Sequence, residues 1–209
     1  TLMIFTDVKT KDDGTKTRRC SSCETTLNLL NELAEFAGGK LKIKELSTEE
    51  DEELAEKFEI KRIPTILFLE EQQEELLRVV AEPRGGIFAP FLKTLQIYSG
   101  KHTYYWDAIK GNLDEIGRSN IKVFVTQTCP YCSQIFPIVT EFALEGDGKI
   151  KTEIIDVNAN QDVALEYGIQ GVPQTMVNEK ERIVGMFNPN DLLEKLTGKV
   201  RRDVSAMYS

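Results

Sequence analysis

The sequence predicts an α/β fold of two tandem units, each a mixed sheet with helices on both faces. Three observations carry that prediction. A shift of 109 positions superposes the two halves, each half alternates strand-like and helix-like segments, and each half holds one Cys-x-x-Cys pair at the corresponding place.

Under that shift Cys20 falls on Cys129, Cys23 on Cys132 and Pro64 on Pro173, with no gap between them. FEIKRIPT (58–65) then lies on YGIQGVPQ (167–174), and Glu32, Ala34, Gly39, Lys40, Lys42, Ala55 and Ile60 all meet identical residues. Random coincidence seldom keeps both cysteines, a proline and the surrounding apolar pattern in one register.

In the second half IKVFV (121–125) is a short apolar run that predicts a strand, and CPYC opens a helix running to about Glu145. IKTEIIDV (150–157) alternates as a strand, and 160–167 predicts a short helix. After Val172-Pro173 come two strands, TMVN and RIVGMF, joined by the polar turn EKE. A last helix begins at Pro189, where proline suits the first turn and Asn188 or Asp191 can cap it. The first half repeats this order: LMIFTDV, a helix from Cys20, LKIKELS, a helix over 49–58, TILFLE, ELLRVV and a helix from Gly86 to Tyr98.

The pattern breaks near YSGKHT (98–103), which divides the chain into units 1–99 and 100–209. YYWDAIKGNLDEIG (104–117) predicts an amphipathic helix ahead of the second unit's sheet. It has no counterpart before Leu2, so residues preceding Thr1 are expected to be missing. The halves also differ ahead of the cysteines: Phe5 to Cys20 spans 15 positions and Phe124 to Cys129 spans 5. The extra KTKDDGTKTR is expected to be a solvated, mobile loop.

Composition narrows the function. With 26 Lys and Arg against 34 Asp and Glu the net charge is −8, which disfavours a nucleic-acid partner because phosphate binding needs clustered positive charge. No run of 18 apolar residues and no secretory layout occur in the sequence, so a soluble, cytoplasmic protein away from membranes is expected. All four cysteines belong to the two pairs.

A thiol attacks a disulfide only as the thiolate, so one sulfur must be helped to ionise and a second must stand close enough to displace the substrate. A Cys-x-x-Cys pair at a helix start does both. The first cysteine meets free N–H groups and the positive end of the helix dipole, and the second lies one turn further in. Cys20 and Cys129 are thus the expected nucleophiles, with Cys23 and Cys132 resolving. Arg18 and Arg19 add positive charge just before Cys20, and Tyr131 offers an aromatic rim to the second pair. Ile63-Pro64 and Val172-Pro173 precede strands, where a cis bond leaves neighbouring backbone open to an extended substrate.

CPYC with Val172-Pro173 downstream resembles a dithiol glutaredoxin or thioredoxin site. The doubled arrangement resembles the two-unit, glutaredoxin-like protein disulfide oxidoreductases of hyperthermophilic archaea and bacteria, over essentially the whole chain. The resemblance implies two tandem thioredoxin-like units, two redox centres (Cys20, Cys23 and Pro64; Cys129, Cys132 and Pro173) and dithiol–disulfide exchange on protein substrates. A flavoprotein thioredoxin-type reductase is the implied electron source. CSSC and the insertion ahead of it depart from the pattern, which makes Cys129 and Cys132 the principal pair. The buried acid that thioredoxins carry six positions before the nucleophile has no match, since Gly14 and Val123 stand there.

Other readings meet specific objections. An electron-transfer module between a flavoprotein disulfide reductase and a peroxidase, as at the N-terminus of alkyl hydroperoxide reductase flavoproteins, usually has one degenerate site, whereas both sites here keep two cysteines. A zinc-binding or scaffold protein would use all four sulfurs together, yet the repeat gives each pair its own unit. No phosphate-cradling glycine loop or dinucleotide fingerprint occurs, so no cofactor is expected on this chain. Pro137 is expected to kink its helix, with Asn28 at the matching place. His102 is expected to be a surface linker residue. Tyr104, Tyr105 and Trp106 are expected to cover the core or the seam, and the acidic runs STEEDEEL and EEQQEE to be solvated.

Overall fold

The computed structural model describes residues 1–70, 74–101 and 105–199. His102, Tyr104 and residues 71–73 of EEQQEE, with the expectations attached to them, lie outside the described residues.

Strand β1 (Leu2–Thr6) is buried along its whole length. It runs parallel to β4 (Ile43–Ser47) on one side and antiparallel to β5 (Thr65–Leu69) on the other, so both its faces and both its edges are covered. A continuous apolar run is what such a position demands. β5 turns back into β6 (Glu75–Val80). In the second half β7 (Ser119–Val125) lies between parallel β8 (Ile150–Asp156) and antiparallel β9 (Gln174–Val177), and β10 (Glu181–Val184) closes that edge.

The two sheets are not separate. β6 pairs in parallel with β8 from Leu77↔Thr152 to Val80↔Ile155, giving one eight-stranded sheet in the order β10-β9-β7-β8-β6-β5-β1-β4. β6 carries buried Leu76, Leu77, Val79 and Val80, so leaving it as a free edge would expose apolar side chains and an unpaired ladder together.

One face of the sheet is covered by α1 (Ser21–Phe36), α3 (Phe88–Tyr98), α4 (Trp106–Lys110), α5 (Cys132–Glu145) and α7 (Pro189–Thr197). Their buried residues, among them Leu30, Phe91, Ile109, Phe142 and Leu193, join Ile4, Phe68, Val79, Val123 and Ile154 in one core that runs through both halves. At its centre α3 packs on α5, and the Thr94 hydroxyl donates to that of Thr140 at 3.2 Å. The other face carries two separate small cores. Phe58 and Ala55 of the α2 segment (Glu52–Lys57) pack on Phe5, Leu46 and Leu67, and Val163 of α6 (Gln161–Glu166) packs with Phe124 and Ile155.

Several sequence expectations need correction. The insertion is no mobile loop: β2 (Lys9–Thr10) and β3 (Lys16–Thr17) pair as an exposed hairpin. Acidic groups around β4 hold it, since Glu50 accepts the Thr10 N–H at 2.6 Å and Lys9 pairs with Glu49 at 2.6 Å. The helix expected over 104–117 is only the five residues of α4, because the backbone turns at Gly111 and continues as turns to 115, while Ile109 and Ile116 still reach the core. The helix expected over 49–58 shrinks to α2, and a 3₁₀ turn (Gly85–Ile87) precedes α3. Asn188 and Asp191 both cap α7, forming a reciprocal capping box with Pro189 in the first turn.

Candidate active site

At the first pair Cys20 is the N-cap of α1, with extended backbone, and its Sγ accepts the Cys23 N–H at 3.1 Å. Cys20 and Cys23 are joined as a disulfide with 5.2 Å between their Cα atoms. The Ser22 hydroxyl lies 3.3 Å from Cys20 Sγ. Ile63-Pro64 is a cis bond, and with Ser22 it lines a cavity of ≈ 130 Å³ whose remaining walls include Glu82, Gln127 and Asn160. The second half of the chain thus contributes to the surroundings of the first pair.

At the second pair Cys129 and Cys132 are thiols. Helix α5 begins at Cys132, Cys129 stands in the loop before it, and the Cys132 N–H donates to Cys129 Sγ at 3.2 Å. Cys132 is fully buried. Burial foremost, then its hydrogen bond to Cys129 and the nearby charges of Cys129 and Asp156, push its thiol up to about 12 against the opposing effect of the Thr126 N–H. Val172-Pro173 is the second cis bond, and the Val172 carbonyl oxygen lies 3.6 Å from Cys129 Sγ. Tyr131 is 57% exposed, and the Gly185 N–H donates to the Pro173 carbonyl at 2.9 Å. The residues on either side of Gly185, Val184 and Met186, have exposed side chains.

The structure thus brings Cys20, Cys23, Ile63 and Pro64 to one end of the sheet, and Cys129, Cys132, Val172, Pro173 and Tyr131 to another point on the same end. β1, β6, β8 and β7 all run in one direction, so α1 and α5 both start at carboxyl ends of strands along one edge of the molecule. Four strand spacings separate β1 from β7, about 19 Å at ~4.8 Å per spacing. Four sulfurs so placed cannot ligate one tetrahedral metal, which removes the zinc reading that needed them together.

Two side chains depart from the sequence reading. The Arg18 guanidinium forks onto Glu45 at 2.6 and 2.5 Å, so its charge is committed there and not to Cys20. Arg19 points into solvent near Glu49. The sequence reading also missed Asp7 and Asp156. Asp7 Oδ2 accepts the N–H groups of Arg19 and Cys20, each at 3.0 Å. Asp156, at the end of β8, has its carboxyl pushed up by burial, against hydrogen bonds from Asn158, Ala159 and the Gln127 side chain. Both acids end recognisable strands, which is the signal that marks them once the hairpin is looped out.

The first half also supports the second pair from below. The Gly86 N–H donates to the Gln127 carbonyl at 2.7 Å, and a Cβ on Gly85 would stand 2.7 Å from that same oxygen. A concavity of ≈ 450 Å³ between α2 and α6 is lined by charges of both signs and includes no cysteine. Among the described residues no helix is long and apolar enough to cross a membrane.

Sulfur pairs that can shuttle between dithiol and disulfide at a helix start are the working parts of thiol–disulfide oxidoreductases, and this fold carries two of them. The Thioredoxin family model matches residues 17–89, and the model described as a thioredoxin domain matches residues 119–197. The "Probable Thioredoxin" of Methanothermobacter thermautotrophicus is 36% identical over 81 residues, covering 39% of this chain and 95% of that protein. A protein disulfide oxidoreductase from Aeropyrum pernix K1 superposes with a TM-score of 0.79 at 26% identity, over 94% of this chain and 83% of that one. The NTD_N/C domain of alkylhydroperoxide reductase AhpF from Enterococcus faecalis shares the fold, with a TM-score of 0.70 at 19% identity over 93% and 89% of the two chains. The chain belongs to the thioredoxin family, as a thioredoxin-like protein disulfide oxidoreductase built from two thioredoxin domains.

Proposed function

We propose that Cys129 is the attacking nucleophile and Cys132 the resolving thiol of the principal centre, and that Cys20 and Cys23 divide the same roles at a second centre. The observation that carries this reading is the asymmetry of the CPYC pair. Cys132 is fully buried and its thiol is pushed up to about 12, while its backbone N–H serves the Cys129 sulfur. The buried Cys132 thereby holds its proton until the second step, which leaves the first attack to Cys129.

In the reducing direction the Cys129 thiolate attacks a substrate disulfide, and one substrate sulfur leaves with the electron pair. Cys132 then loses its proton and attacks Cys129 Sγ, closing the ring and releasing the second substrate sulfur. The reverse sequence oxidises a substrate dithiol.

Val172, Pro173 and Tyr131 seat the substrate at this centre, and Ile63 and Pro64 do so at the other. The Val172 carbonyl beside Cys129 and the exposed apolar side chains of Tyr131, Val184 and Met186 support a polypeptide as the ligand. The same reading divides the chain into units 1–99 and 100–209, supported by the repeated order of strands and helices. It assigns regeneration of the dithiols to a flavoprotein reductase and places the protein in the cytoplasm, where a reducing thiol pool keeps such pairs turning over.

Insulin reduction by dithiothreitol tests the ranking. Cys129→Ser is expected to lower turnover at least about tenfold, and Cys20→Ser to lower it less. Cys132→Ser is expected to accumulate a mixed disulfide with the substrate, visible by mass spectrometry. Undiminished turnover in Cys129→Ser would overturn the assignment.

A further inference from the structure

A buried acceptor with no donor is unfavourable, so its presence asks which state of the protein supplies one. Asp7 follows directly on β1. Its Oδ2 holds the N–H groups of Arg19 and Cys20, which fixes the carboxylate against the start of α1. Its Oδ1 is buried and without a hydrogen-bond partner among the described residues. A carboxylate oxygen of Asp7 and the sulfurs of Cys20 and Cys23 all lie within 4.8 Å of one another.

Cys23 is fully buried, so bulk water has no direct access to its sulfur. Reduction of the disulfide would place an S–H on that sulfur within reach of the Asp7 carboxylate. We propose that Asp7 accepts the proton of Cys23 when the first disulfide closes. The inference rests on the reading of Cys20 and Cys23 as a working centre, and deepens it.

The step balances as follows. Cys20 is held in a mixed disulfide with the substrate. The S–H bond of Cys23 breaks and its proton passes to Asp7, while the sulfur's electron pair forms the bond to Cys20 Sγ. The Cys20–substrate bond breaks and its electron pair leaves on the substrate sulfur as thiolate. One dithiol is oxidised, one disulfide is reduced, and the partly exposed Asp7 returns the proton to water.

Competing groups are otherwise engaged. Arg18 faces Asp7 together with Glu45 and Glu24, Lys16 and Arg19 reach Glu45 and Glu49, and Glu82 of the cavity beside the first pair takes the Thr25 hydroxyl and Arg84. Glu45 takes the Arg18 fork and the Thr6 hydroxyl, and Glu49 pairs with Lys9. The second centre is built differently. Thr6↔Ser47 and Val125↔Asp156 are matching register pairs, so Asp7 corresponds to Thr126, whose backbone N–H serves Cys132.

The test uses the full chain carrying Cys129→Ser and Cys132→Ser, reduced and mixed in a stopped-flow instrument with an excess of an aromatic disulfide whose thiolate absorbs visible light. Attack by Cys20 releases one equivalent of thiolate, and closure by Cys23 releases the second. Asp7→Asn is expected to slow the second phase relative to the first by about tenfold or more, and to make it climb about tenfold per pH unit as hydroxide replaces the lost acceptor. Asp7→Glu is expected to restore the shallower pH profile. Should Asp7→Asn fold poorly, Asp7→Thr, with the residue of the second unit, takes its place. An unchanged ratio of the two phases, or equal slowing of both with the pH profile intact, overturns the role of Asp7. No release at all from the unsubstituted background overturns the reading of Cys20 and Cys23 as a centre, and this inference with it.

Discussion

Glu45 is a carboxylate withdrawn from water beside the hairpin and then given three partners, Arg18, Thr6 and Lys16. Burial works to raise its pKa, but the Arg18 fork, the Thr6 hydroxyl and the Arg18 charge outweigh it and hold the group below its ordinary range. A depressed pKa in the folded state means that the pairing stabilises the protein above the unfolded carboxylate range, near ~4.3, and that this contribution is lost as pH falls through the folded value. Glu45→Gln is therefore expected to lower the unfolding free energy by about 1 to 2 kcal/mol at pH 7 and to flatten the acid limb of the stability profile. Urea unfolding from pH 7 to pH 3 measures both, and parallel acid limbs would count against the pairing. At this scale the cysteines and prolines were legible because their spacing is local and repeated. The partner of Arg18 was not, since Glu45 lies on a strand 27 positions away. Asp7 was hidden for a related reason, because the hairpin separates it by 13 positions from the Cys20 N–H that it binds.

Elements with a strong apolar pattern or a cap came out near their predicted limits: α1 from the CSSC turn, α5 from CPYC, α7 from its Asn-Pro start, and the strands of the sheet except the last, which stops at Val184 although RIVGMF runs to Phe187. The segment after the unit boundary failed because its apolar spacing fits a helix while Gly111 and the polar residues after it favour turns. The insertion failed because a charged sequence with Gly14 at its tip is equally compatible with a loop and a hairpin, and only Glu49 and Glu50 across from it decide. The 3₁₀ turn before α3 gives a prediction of its own. Gly85 has φ +52° and no room for a side chain against the Gln127 carbonyl. Gly85→Ala is expected to cost about 1 to 3 kcal/mol and to shift the 127–129 loop. Thermal unfolding and the alkylation rate of Cys129 would report it, and the idea fails if both stay at the unsubstituted values.

The joining of the two halves into one sheet was beyond the reach of the sequence. β6 and β8 each read as a strand of its own unit, and nothing local shows that their edges meet. The join has energetic consequences, because the ladder from Leu77 to Val80 and the shared core of α3 and α5 belong to neither half alone. A fragment 1–99 made by itself is expected to self-associate or remain unfolded, and to regain cooperative structure when mixed with 100–209. Size-exclusion chromatography and circular dichroism distinguish these outcomes, and a monomeric, cooperatively folded 1–99 would show that the join is dispensable. The shared sheet also acts as a caliper. With β1 and β7 pointing the same way and about 19 Å apart, a client that engaged both proposed centres at once would need on the order of six extended residues between its sulfurs if the centres keep the spacing of their strands. On that reading, clients with closer sulfurs would visit the two centres in turn.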